Sequence, residues 1–592
     1  METDWNTKAL EFIEEMTKNA GEVQKMVLAD ILKQNGETEY LQRFNLDGAT
    51  DTKTFTSKVP CITYEDIRPE IQRMENGDRS AILTALPVSD FLLSSGTTSG
   101  KRKLIPMPEE EWNRRQVLSS LEIPVMNVYV PDLNRGKGLY FYFSWPEIRT
   151  PGGQMILTAL NKYYRSEHFK NQRRDPYTQY TSPYESVLCT DYVQSMYVQL
   201  LCGLYQHKQI NRVGASSASA LLRVIKFFEL NWQDLVLDIR VGSLNPKITY
   251  EPLRECMARI MKSDPELADF LTIECSGENW EGIIQRIWPN AKYLGTIITG
   301  SMIQYAPSLD YYSGGLPIAT SKYASSECCF GINLNPISKP EDVSFTFMPN
   351  LAYFEFIPQE HHSSNMDIGN STVTTPDLIN LVDVEVGKDY EVVITTHAGL
   401  YRYQMGDILR VTGFHNSAPK FKFLRRKGVL LSIAGDKTDE VELQMAMDNA
   451  SQILQEYSVS LVDYTSHASK KIAPGHYVIY WELSVGVLGD SDKNAQSDEV
   501  ISRCCPIIEN SFSLIYKQHR VHGAIAALEI RVLKNGTFQD LVEFAVSRGA
   551  SIGQYKVPRC VETGPVLEFL DSRVVSSHFS PCLPSLASEE SI

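Results

Sequence analysis

Leu10, Ile13 and Met16, followed by Val23, Val27, Ile31 and Leu32, recur three or four positions apart. That spacing puts an apolar stripe on one face of a helix, so the first 45 residues read as helical. Further on the period changes. GLYFYFSW (138–145), YLGTIITG (293–300), VSFTFMPNLAYFEFIP (343–358) and YEVVITT (390–396) are β-branched or aromatic runs that end in Gly, Pro or polar residues; these predict strands. Between them, 191–205 and 216–230 carry helical spacing. Strands alternating with helices predict an α/β architecture.

The stretch SIAGDKTDEVELQ (432–444) reads as a junction, with small residues, then charges, then a new helix from Glu440. Beyond it, GHYVIYWEL (475–483), IAALEIRVL (525–533) and a helical stretch near 537–548 predict a compact α+β unit of ordinary domain size. After about residue 572 the chain is rich in Ser and Pro and is expected to be disordered. The expected organisation is a large α/β N-terminal domain (1–431), a hinge (432–441), a smaller α+β C-terminal domain (442–573) and a tail (574–592).

Composition changes this picture little. The chain has 592 residues, 43% hydrophobic and 22% charged, which is globular and too long for one domain. Its net charge of −15 disfavours a general nucleic-acid binder. Eleven scattered cysteines without a C-x-x-C read as reduced thiols in a cytoplasmic protein. The acidic, amphipathic start is unlike a signal peptide, and no apolar run approaches about 18 residues, so no membrane association is expected.

Candidate chemistry begins at SSGTTSGKRK (94–103). Glycines let backbone N–H groups converge, hydroxyls add donors and the cations add charge, which suits an anion; a solvated turn accounts for the composition equally well. Only Thr97, Thr98 and Ser99 separate Gly96 from Gly100, which excludes the Walker loop. In KYASSECCFGINL (322–334), Glu327 could ligate Mg²⁺ alongside phosphate oxygens, or simply cap a helix. In GLYRYQMGD (399–407), Asp407 could accept ribose hydroxyls, or merely close a turn. His361–His362 lies in a polar run with no third ligand in view, and reads as surface. The segment 207–223 is explained by a helix N-terminus with small packing residues.

In order, the Ser/Thr/Gly loop, YASSE, YRYQMGD, DKTDE and GQYKVPRCV (553–561) resemble the motifs of adenylate-forming enzymes. They most resemble those of the plant acyl-acid amido synthetases, the Gretchen Hagen three family. DPYTQYTSP (175–183) and QSMYVQLLCGL (194–204) extend the likeness over the chain to about residue 573. The resemblance implies that ATP and a carboxylic acid give an acyl adenylate and pyrophosphate, and that an amino acid then displaces AMP. It implies Ser94, Ser95, Gly96, Thr97 and Thr98 at the ATP phosphates, Tyr323 near the adenine, and Ser326 and Glu327 facing phosphate and Mg²⁺. It further implies Asp407 at the ribose, Phe423 at the base or ribose, Lys437 in the hinge and Lys556 as the cation that the smaller domain brings to the phosphate.

For the acid, the resemblance implies Arg115 at the carboxylate, Ser119 on the same helix face, and Ala159 and Leu160 as apolar walls. The helix carrying Arg115 is expected to end at Pro124. The likeness is nearest to the auxin-conjugating branch, yet the acyl-facing motifs differ. A Tyr usually stands at Ser119, and LTALNKYYRS (157–166) has Asn161 and Lys162 where Thr and Ser are usual. Indole-3-acetate is the first choice of acid, ahead of a benzoate, a jasmonate or another indole-chain acid. A coenzyme A ligase and a silent nucleotide-binding protein are the competing functions.

Overall fold

The computed structural model describes residues 2–98, 101–172, 179–277, 279–359, 378–427, 429–457, 459–485, 493–547, 558–561 and 564–586. It divides into two compact units: Met1–Ser94 with Leu104–Lys427, and Ser95–Lys103 with Gly428–Ile592.

In the first unit the helices Glu2–Lys18 and Ala20–Asn35 follow the apolar stripes of the sequence, the second burying Val23, Val27, Leu28, Ile31 and Leu32. Ile13 joins Leu118, Leu121, Val125, Ile332 and Met348 in one apolar cluster. This packing backs the N-terminal helix onto the long helix Glu109–Tyr129, which runs through Pro124 rather than stopping there. Pro124, Val125 and Met126 are all buried, so tertiary packing carries the helix past a residue that would end it in isolation.

A parallel sheet orders Lys137–Phe141, Ile210–Ala215, Leu294–Gly295 and Ile318–Ala319. The helices Tyr192–Tyr205 and Ala218–Val241 pack into the same core as these strands. The latter helix runs beyond the expected stretch and stops at Gly242, whose φ of +76° suits glycine. Asp191 caps the former through the N–H of Gln194 at 3.1 Å. Asp191→Ala should cost about 1 kcal/mol, the usual value of an N-cap, read as a lower denaturant midpoint with an unchanged slope.

An eight-stranded antiparallel sheet runs, edge to edge, from Ile379–Asn380 through Tyr353–Gln359, Asp389–Thr395, Tyr403–His415, Ala418–Arg426, Phe345–Phe347 and Cys329–Ile332 to Lys322–Ala324. The predicted strand 343–358 is thus two strands. Phenylalanines fill one face, as in the stacked pair Phe356–Phe421 at 4.9 Å. On Tyr353–Gln359, the buried Glu355 meets Arg402 in two hydrogen bonds of 2.9 Å, and the first five residues are buried in succession rather than alternating.

The second unit has the sheet order Val459–Ser469, His476–Val485, Glu529–Leu533, Val574–Phe579. The helices Glu440–Glu456 and Lys493–Ser511 contribute to its larger core, and Phe538, Leu541, Leu567 and Leu570 to a second cluster. A buried Arg520–Glu509 pair also engages the Tyr516 hydroxyl at 3.0 Å. Val574–Phe579 corrects the expectation of a disordered tail. It is an edge strand whose backbone pairs with Glu529–Leu533 while only His578 is buried, so its apolar content is too low to announce it. Among the described residues, no helix is long and apolar enough to cross a membrane.

Candidate active site

The segment YASSE forms the turn between the edge strand Lys322–Ala324 and its antiparallel neighbour Cys329–Ile332. Ser325 organises it: its N–H donates to the Cys328 carbonyl at 2.7 Å, and its hydroxyl accepts from the N–H groups of Glu327 and Cys328 at 3.2 Å each. The Ser326 hydroxyl donates to the Leu93 carbonyl at 3.1 Å, and the Ser94 hydroxyl to Glu327 Oε1 at 3.2 Å. The start of the Ser/Thr/Gly stretch and the Y-x-S-S-E turn, more than two hundred positions apart in sequence, are therefore in contact.

Arg115 holds this turn from behind. It is only 5% exposed. Its Nη1 and Nη2 donate to the carbonyls of Ser326 at 2.8 Å and Glu327 at 2.5 Å, and its Nε donates to Glu111 at 3.1 Å. The resemblance implies Arg115 at the acid's carboxylate; here one N–H of each guanidinium nitrogen goes to a buried carboxylate or a backbone carbonyl, so the residue also positions the turn. Burial pushes the Glu111 carboxyl up, and Arg115 opposes that rise. Burial likewise pushes the Cys328 and Cys329 thiols up, which leaves them unsuited as nucleophiles.

On the strand that leads into this turn, Tyr323 stacks on Phe330 at 4.4 Å and lies 6.2 Å from the ring of Phe423. Its hydroxyl donates to Asp407 Oδ2 at 2.5 Å. Burial and the Asp407 carboxylate both push the Tyr323 hydroxyl well above its ordinary range, so it remains a donor. Asp407 follows Gly406 (φ +76°) on the strand Tyr403–His415, directly opposite Arg426. Its Oδ1 stands 3.5 Å from Arg426 Nη1 and is buried without a hydrogen-bond partner. An acceptor of this kind suits a ligand hydroxyl.

Ser94, Tyr323, Ser326, Glu327, Asp407 and Phe423 are thus brought together. Ser95, Gly96, Thr97 and Thr98 form the end of the strand Val88–Thr98, and their side chains lie outside the described residues, as do Lys556 and the pair His361–His362. Lys437 is half-buried in the second unit, beside Asp436, whose carboxylate accepts from the N–H groups of Ile433 and Ala434 at 2.9 and 2.7 Å. Ala159 is half-buried and Leu160 is 45% exposed at the start of the helix Ala159–Arg165.

The two departures beside them turn inward. Asn161 bonds the backbone of Trp145 at 3.2 and 3.3 Å, and Lys162 Nζ meets Asp90 at 2.5 Å and Glu109 at 2.9 Å. These bonds brace the helix. Ser119 accepts from Lys322 Nζ at 2.9 Å. Arg426, across from Asp407, is a candidate-site residue that sequence reasoning missed. The signal for Arg426 lay in strand register, which sets it across from Asp407.

This is the fold of adenylate-forming enzymes: a solved coenzyme A ligase acting on 2-hydroxyisobutyrate matches 94% of the chain and 92% of its own at a TM-score of 0.50 and 10% identity. Within that fold the chain belongs to the GH3 (Gretchen Hagen three) family. The family's N-terminal domain matches 9–318, its central domain 345–426 and its C-terminal domain 441–565. The probable indole-3-acetic acid-amido synthetase GH3.1 of Arabidopsis thaliana is 57% identical over 98% of this chain and 95% of its own length. The indole-3-acetic acid-amido synthetase GH3.8 of Oryza sativa subsp. indica is 54% identical over 98% and 94%. The solved GH3.15 acyl acid amido synthetase is 41% identical, with a TM-score of 0.67, covering 97% of this chain and 98% of its own.

Proposed function

We propose that this chain joins a carboxylic acid, with indole-3-acetate the first candidate, to an amino acid at the expense of ATP. A carboxylate oxygen attacks the α-phosphorus, a P–O bond forms, and the bond to pyrophosphate breaks. The amine nitrogen of the amino acid then attacks the acyl carbon, the C–O bond to phosphate breaks, AMP leaves with the electron pair, and the amine gives up a proton. The enzyme's part is to position the reactants and stabilise charge.

The observation that carries this reading is the Tyr323–Asp407–Arg426 arrangement beside the Ser94–Glu327 contact. It offers a half-satisfied carboxylate for a ribose, an aromatic wall for a base, and a carboxylate with hydroxyls for phosphate and metal. Those oxygen donors suit Mg²⁺, which Glu327 would hold and which would neutralise phosphate charge. Lys437 and Lys556 keep the roles that their motifs suggest. The scattered cysteines fit a cytoplasmic setting.

The test is a pyrophosphate-release screen of plant-type carboxylic acids with ATP, followed by mass analysis of products with an amino-acid panel or coenzyme A. An acyl–amino acid is expected. A thioester product would assign the chain to the ligases, and a chain that releases no pyrophosphate with any acid would be a silent nucleotide binder.

A further inference from the structure

Lys322 precedes Tyr323 on the edge strand, so the two side chains leave it on opposite faces. Tyr323 turns to the phenylalanines and Asp407. Lys322 turns to the helix Glu109–Tyr129, where its ammonium donates to Ser119 Oγ at 2.9 Å and to Glu122 Oε1 at 2.6 Å. The Ser321 hydroxyl closes on the other oxygen of Glu122. Arg115, Ser119 and Glu122 sit four and three positions apart and form one ridge of that helix. Its first member grips the carbonyls of Ser326 and Glu327, and the other two grip Lys322. The ammonium therefore lies along the same ridge that positions the reacting turn.

Two of its three protons are spent inside the protein, and among the described residues the third has no acceptor. The side chain keeps 35% of its surface exposed. The His168 ring on the helix Glu167–Gln172 is near enough to feel its charge.

We propose that Lys322 is a specificity-determining residue whose remaining N–H donates to an oxygen on the ring or chain of the acid, away from the reacting carboxyl. The favoured acids then carry a hydroxyl, ether or carbonyl there. Glu122 neutralises the ammonium, so a neutral oxygen is favoured over a second carboxylate, which would meet Glu122. The proposal rests on the acid-activating reading and on Ser119 bordering the acid. It departs from an all-apolar pocket, because a lysine nitrogen beside a bare hydrocarbon ring loses hydration without a new partner.

The test compares para-hydroxyphenylacetate with para-methylphenylacetate, near-isosteres in which a hydroxyl stands in for a methyl, in pyrophosphate release with ATP and an amino acid. The native chain should give the hydroxy acid the higher kcat/KM. Lys322→Met should lower the hydroxy-to-methyl ratio roughly ten-fold, as expected for losing one charge-assisted hydrogen bond, with the ATP KM near native. Lys322→Arg should keep the preference. The double variant Lys322→Met/Glu122→Gln removes the carboxylate left unpaired and should show the same altered ratio if the single variant folds poorly. A native chain that does not prefer the hydroxy acid, a ratio that Lys322→Met leaves unchanged, or an equal fall for both acids would overturn the proposal. The equal fall would put Lys322 at the reacting carboxyl. If no acid of any kind releases pyrophosphate, it is the acid-activating reading that fails.

Discussion

Arg115→Met should lower the stability of the first unit by about 3–5 kcal/mol, the usual cost of removing one partner of a buried ion pair. The guanidinium makes three hydrogen bonds, to Glu111 and to the carbonyls of Ser326 and Glu327. Without it, Glu111, 1% exposed and with one oxygen lacking a hydrogen bond, keeps a buried charge balanced mainly by Arg114, whose Nη1 lies 3.7 Å from that oxygen. Burial holds the Glu111 carboxyl above its ordinary value, and losing Arg115 strengthens that rise. A carboxyl raised in the folded state contributes stability below its unfolded pKa and loses it as pH rises through the folded value. The deficit of Arg115→Met should therefore widen as pH rises above the ordinary carboxylate range. Arg115→Met/Glu111→Leu should recover much of the stability, yet pyrophosphate release should stay depressed because the turn has lost its anchor. Urea unfolding across pH, paired with pyrophosphate release, reads both effects. A single variant of native stability whose only defect is a raised KM for the acid would return Arg115 to the acid's carboxylate.

That residue also shows where the sequence stops being legible. Glu327, Asp407 and Tyr323 could be picked out because each carries chemistry in a motif, and their order along the chain matched a known class. The hold of Arg115 on the turn could not be read there, since two of its three acceptors are backbone carbonyls more than two hundred positions away, and carbonyls leave no trace in composition. Lys322 was hidden for a related reason: Ser119 and Glu122 meet it only once the edge strand is laid against the helix. Asn161 and Lys162 stand in a stretch that the resemblance makes acyl-facing, and their bonds to Trp145, Asp90 and Glu109 could not be read from spacing. Helical and strand periods located most elements. They failed where tertiary packing overrode a local rule, at Pro124, and where backbone pairing did the stabilising, in Val574–Phe579.

Under the proposed reading, Asp407→Asn should raise the KM for ATP by about ten- to a hundred-fold, as expected for losing about 1.5–3 kcal/mol of hydrogen bonding to a charged acceptor. The substitution keeps the shape but removes the charge that faces Arg426 and one of the two carboxylate oxygens. Tyr323 can still donate to the remaining amide oxygen, which leaves the nitrogen where Oδ1 now waits for a donor. A ribose hydroxyl that donated to Oδ1 would meet an N–H instead. The native chain should accordingly discriminate against deoxy-ATP, which lacks a ribose hydroxyl, and Asp407→Asn should discriminate far less. The KM for the acid should change little, because the carboxylate contacts Tyr323 and Arg426 and not the Lys322–Ser119 side of the strand. Tyr323→Phe should have a smaller effect of the same kind, since the ring keeps its stack on Phe330 and only the bond that orients Asp407 is lost. Steady-state pyrophosphate release with both nucleotides measures all four quantities. Equal discrimination against deoxy-ATP in the native and Asp407→Asn chains would remove Asp407 from the ribose, and a collapse in acid affinity with ATP unaffected would move it to the acid.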